Sequence, residues 1–105
     1  MLFKNWLIKI GIEPNEYLNI VKNIANENNY DPYLLSFSNN PKKKLNYDGV
    51  NFGANLYNDF IIYNLLDGEE IANQKRLNYR KRAYKIYKQT NNKYSPSALS
   101  YNILW

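Results

Sequence analysis

The chain has 105 residues, with 14 Lys and Arg against 9 Asp and Glu, and contains neither Cys nor His. Its length suits one domain able to close a single hydrophobic core without disulfides or metals. The two missing residue types exclude thiol nucleophiles, redox pairs, imidazole bases, Cys or His ligation of haem and Cys/His zinc sites.

The absence of Cys suits a reducing compartment. Lys4 and Lys9 interrupt the apolar start too often for a secretory h-region. No run approaches the ~18 apolar residues of a membrane span. The expectation is a soluble intracellular protein that does not engage a membrane. Asn, Lys, Ile and Tyr supply 51 of the 105 residues, a bias that A/T-rich codons produce without selection for function, so the number of lysines says little. Their distribution says more. Residues 1–41 carry three bases and four acids, residues 42–105 carry 11 bases and five acids, and no acid follows Glu70. Such asymmetry points to an anionic partner or to a solvated basic face.

In chain order, Phe3, Trp6, Leu7 and Ile10 share one arc of a short helix that Gly11 ends. Pro14 suits the first turn of a second helix, whose apolar stripe is Tyr17, Leu18, Val21, Ile24 and Ala25, and Asn28-Asn29 stops it. Asp31-Pro32 turns the chain towards Leu34-Leu35-Ser36-Phe37, a candidate short strand. After a loop at Asn39-Asn40-Pro41, two alternating runs flank Asp48-Gly49, the signature of a type I′ hairpin with Leu45, Tyr47, Val50 and Phe52 on one face. Lys42, Lys43 and Lys44 precede it, either as a phosphate-contacting edge or as a solubilising guard on an edge strand.

Residues 55–66 read as the central helix, starting near Gly53 and Asn55 and ending at Asp67-Gly68. Leu56, Tyr57, Phe60, Ile61, Ile62, Tyr63, Leu65 and Leu66 point in every direction, and a helix apolar all round belongs inside its protein. Its one charge, Asp59, then needs a basic partner or several donors. Asn73 is the expected N-cap of the next helix, about Gln74 to Gln89. On that helix Lys81, Arg82, Lys85 and Lys88 share an exposed arc. Arg76 and Arg80 point into the tyrosine-rich side, so the expectation is that at least one of them pairs with Asp59 or stacks on a tyrosine. The exposed quartet could contact nucleic-acid phosphates, with Tyr94 adding stacking, or be a solvated face. Ser95 and Pro96 cap and open a last helix, and Leu104-Trp105 is expected to dock into the core or onto a partner.

One ordered series runs through this region. It comprises Lys44-Leu45-x-Tyr47-x-Gly49-Val50-x-Phe52-Gly53, then Tyr57-x-Asp59-Phe60-Ile61-Ile62-Tyr63, then Tyr79 to Ala83 with Arg80 and Arg82, then Tyr94-Ser95-Pro96 and Ile103-Leu104-Trp105. It resembles a family of small uncharacterised proteins of nucleocytoplasmic large DNA viruses, over about residues 44–105. Ser97-Ala98 stands where that family often has Asn-Asn, and the loop at Glu69-Glu70 lacks its usual Gly. The resemblance implies a viral setting (host cytoplasm, viral factory or virion) and brings no catalytic residues.

The sequence therefore predicts a single α+β domain, residues 1–105, of about five helices around one hairpin. Three functions are weighed. The first is non-enzymatic association with nucleic acid through Lys81, Arg82, Lys85, Lys88 and Lys42 to Lys44, with little base readout. The second is a structural or adaptor role in the virion against an acidic or capsid-type protein. The third and weakest is a metal-dependent nuclease built on Asp48, Asp59, Glu69 and Glu70 with Lys75. No cofactor is expected.

Overall fold

The structure is a computed structural model and describes residues 1–89 and 91–105. Helices α1 (Phe3–Lys9) and α2 (Pro14–Glu27) lead through a 3₁₀ turn at Pro32–Leu34 into strands β1 (Leu35–Phe37), β2 (Lys43–Tyr47) and β3 (Val50–Ala54). Helices α3 (Phe60–Asp67), α4 (Glu69–Gln89) and α5 (Pro96–Leu99) follow, the last continuing as a π-helical turn over Ser100–Leu104. The strands form one antiparallel sheet in the order β1-β2-β3, so the fold is α+β.

Local chemistry accounts for most element boundaries. Glu13 caps α2 by accepting from the Glu16 N–H at 2.7 Å, and Pro14 fills the first helical position, where no donor is needed. Asn29, at φ +66°, turns the chain away after α2. Asp48 and Gly49 adopt φ +47° and +90°, the two left-handed positions of a type I′ turn. That turn sets Leu45 opposite Phe52 and Tyr47 opposite Val50, while β1 adds Leu35 beside Tyr47 and Phe37 beside Leu45. The core joins Phe3 and Leu7 of α1, Tyr17 and Val21 of α2, Leu45 and Phe52 of the sheet, and Leu99, Ile103 and Leu104 of the C-terminal segment. Phe3 meets Tyr17 edge-on at 5.1 Å.

Four expectations are corrected. The helix anticipated over residues 55–66 begins only at Phe60, because Leu56 takes φ +68° and the Asn55 side chain is tied to backbone. Its Nδ2 donates to the carbonyls of Met1 and Pro41, both at 2.8 Å. Nor is α3 buried all round: Ile61 and Ile62 face the core, whereas Leu65 and Leu66 are exposed. β2 is the middle strand, so Lys42–Lys44 guard no edge. Finally, α4 starts at Glu69 rather than after an Asn73 cap. Gly68, at φ +92°, breaks α3 from α4, and the Ala72 N–H closes the first turn on the Gly68 carbonyl. Burial of Ala72 holds that first turn in place.

Candidate functional site

Asp59 is the N-cap of α3, its Oδ1 accepting from the Ile62 N–H at 2.9 Å. Its Oδ2 accepts from Lys44 Nζ at 2.8 Å and from the Tyr17 hydroxyl at 2.6 Å. Asp59 and Lys44 are only 1% and 2% exposed, and they form the one salt bridge among the described residues. The expected pairing with Arg76 or Arg80 is thus replaced by Lys44. Lys44 in turn leaves the anticipated phosphate-binding set, because its ammonium lies 5.1 Å from the Phe3 ring centre inside the protein. Each buried side-chain nitrogen and oxygen of this cluster has a hydrogen-bond partner, and the cluster ties α2, β2 and α3 together. Burial first, then the charge of Asp59 and the hydrogen bond to it, raise the Tyr17 hydroxyl well above the usual tyrosine pKa.

Arg76 and Arg80 are turned inward, as their place on the tyrosine-rich side implied, but to a different acceptor. Their Nε atoms donate to the Trp105 carbonyl at 2.6 and 3.0 Å. Arg76 also lies over Phe60, and Arg80 over Tyr101, which realises the stacking half of the expectation. Desolvation, then the neighbouring Arg80 charge, lower the Arg76 pKa. The outward side of α4 carries Lys81, Arg82, Lys85 and Lys88, all exposed. Lys42 is exposed and Lys43 half-buried. Tyr94 is not a spare stacking platform, since it stacks on Tyr47 at 5.9 Å and 10° with Lys93 over its ring.

The carboxylates considered for a nuclease do not meet. Asp48 is at the hairpin tip, Glu69 and Glu70 sit in the exposed first turn of α4, and Asp59 is committed inside. Among the described residues no three His, Cys, Asp or Glu side chains gather as a metal would require. No helix among them is long and apolar enough to cross a membrane.

Beside the basic face lies a feature that the helical wheel did not reveal. A cleft of about 450 Å³ opens between α4 and the β3–α3 connection, lined by Tyr57, Asn58, Tyr63, Tyr79, Arg82, Ser100 and Trp105 over a floor that includes Lys44, Gly53 and Leu104. Trp105 stacks on Tyr79 at 4.4 Å and 9°, so the terminal segment builds one wall. Gly53 is required in the floor: at φ +81°, a Cβ there would lie 2.8 Å from Leu104 Cδ1. A second hollow adjoins past Tyr79 and brings in Lys43, Ile86 and Tyr87. Tyr57, Tyr63, Tyr79, Arg82 and Trp105 all belong to the ordered series of motif residues. They lie on four separate elements, so no local pattern in the sequence brings them around one cleft. No family model, curated protein or solved structure matches the chain.

Proposed function

We propose that this is a non-enzymatic protein that associates with nucleic acid through the outward face of α4, largely without sequence specificity, in the viral setting that the resemblance over residues 44–105 implies. One observation carries the reading. Lys81, Arg82, Lys85 and Lys88 are exposed over about 10 Å of helix axis, and no carboxylate among the described residues pairs with any of them. Unneutralised cations so spaced displace the counterions condensed on a phosphate backbone, which gives affinity but reads no bases.

The test is a binding titration at several salt concentrations. About four phosphate contacts predict a slope of log K against log[salt] near −3.6 on duplex DNA and near −2.8 on a single strand. The Lys81→Gln, Lys85→Gln variant should flatten the slope by about two contacts and leave stability within about 0.5 kcal/mol of the parent. An unchanged slope, or no binding at low salt, would remove nucleic acid as the partner. A virion adaptor role is the second reading. It draws on Leu77, Tyr84 and Ile86, which are 51%, 51% and 61% exposed among the same lysines and would suit an acidic protein with an apolar patch.

A further inference from the structure

We infer that the tyrosine-lined cleft receives an unpaired nucleobase, so that the strand held by α4 is single-stranded. This rests on the nucleic-acid reading above and narrows it. At about 450 Å³ the cleft is in the size range of sites that enclose small planar ligands. Tyr57 stands at its mouth 71% exposed, and its ring meets no other aromatic ring among the described residues. Tyr57 is thus an aromatic left to water on a turn whose backbone is tied at Asn55 and Leu56. The same cleft is lined by the Tyr79–Trp105 stack, whose Trp105 carbonyl accepts from Arg76 and Arg80.

Charge selects the occupant. Among the described residues no Asp or Glu lines the cleft, and Lys44, whose stem packs beside Gly53 in the floor, has its ammonium paired with Asp59, which leaves Arg82 as the charge available there. Arg82 belongs both to the cleft wall and to the basic face, so a phosphate held there places the attached base over the opening. Asn58 and Ser100 add a carboxamide and a hydroxyl to the wall for the base edge. A duplex keeps its bases stacked inside and cannot offer one to such a slot, whereas a single strand presents every base face.

The experiment compares parent, Tyr57→Ala, Tyr57→Phe and the Lys81→Gln, Lys85→Gln variant. Binding to labelled oligo(dT), to a duplex of equal length and to thymidine monophosphate is followed by anisotropy or competition at low and moderate salt. Tyr57 is a surface residue, so its loss should leave the fold intact. For the parent, oligo(dT) should bind more tightly than duplex. Tyr57→Ala should weaken oligo(dT) roughly 5- to 150-fold, the equivalent of about 1–3 kcal/mol for one stacked base. It should leave duplex binding and the salt slope unchanged, and Tyr57→Phe should behave as the parent. The lysine variant should flatten the slope on both polymers. Equal oligo(dT) affinity for parent and Tyr57→Ala, or preference for duplex, overturns the cleft assignment while the basic-face reading stands. Thymidine monophosphate bound as tightly as the oligomer also overturns it, since the site would then be for a free nucleotide. Absence of binding to either polymer at low salt defeats both.

Discussion

At the scale of single residues, Asp59 carries more than any other side chain, because one carboxylate caps α3, neutralises Lys44 and accepts from Tyr17. Removing one partner of a buried pair leaves an uncompensated charge, so Asp59→Ala should cost about 3–5 kcal/mol in urea unfolding at pH 7. Tyr17→Phe, which loses one hydrogen bond to a charged acceptor, should cost about 1.5–3 kcal/mol. The pH dependence separates them. The folded state holds the Tyr17 proton above the usual tyrosine pKa, whereas the unfolded chain releases it near pH ~10. The unfolded state therefore binds fewer protons there, and stability falls as pH rises. This contribution is complete below about pH 10 and is lost above it, and Tyr17→Phe should show a shallower alkaline decline. Burial also raises Tyr30 and Tyr79, so the decline should lessen rather than vanish. A loss below about 1 kcal/mol for Asp59→Ala, or an identical alkaline limb in Tyr17→Phe, would mean that the cluster is solvated.

At the scale of elements, the C-terminal segment depends on α4 for its position. Ser95 caps α5 by accepting from the Ala98 N–H at 3.2 Å, and Leu99, Ile103 and Leu104 are buried, but Trp105 is held mainly by the Tyr79 stack and by Arg76 and Arg80. The Arg76→Gln, Arg80→Gln variant should release this end locally. Amide exchange should quicken at Tyr101–Trp105, with opening costs lowered by about 1–3 kcal/mol, while the β2–β3 hairpin keeps its protection. Uniform loss across both regions would show that the arginines support the whole fold and not the cleft wall.

At the scale of the whole molecule, the charge asymmetry has an energetic consequence independent of any ligand. Acids confined to the first turn of α4 and bases along the rest suit the helix dipole. However, Lys81, Arg82, Lys85 and Lys88 crowd one another at separations comparable with the ~10 Å screening length of 0.1 M salt. Raising NaCl from 20 to 200 mM should therefore increase Tm by about 2–4 °C, corresponding to about 0.5 kcal/mol of relieved repulsion. The Lys81→Gln, Lys85→Gln variant should start higher and gain less. Equal gains would mean that these bases already have counter-charges.

Where chemistry is local, the sequence by itself determined the outcome. Asp48-Gly49 specifies the hairpin and its register, Pro14 and the Tyr17–Val21–Ala25 stripe specify α2, and Ser95-Pro96 opens α5, because each depends on backbone torsions or a side-chain period within a few residues. Periodicity misled at residues 55–59, where apolar spacing suggests a helix but the Asn55 bonds to Met1 and Pro41 hold a turn. Tertiary structure alone decided which base meets Asp59. Lys44 is 15 residues away and Tyr17 is 42, and no local pattern distinguishes a lysine that will be buried against a carboxylate from one that will stay in water. It also decided the cleft, whose walls come from the β3–α3 turn, α3, α4 and the terminal segment. Each tyrosine read alone looks like core or surface, and only the packing of α4 against the C-terminal segment sets their rings and Arg82 around one space.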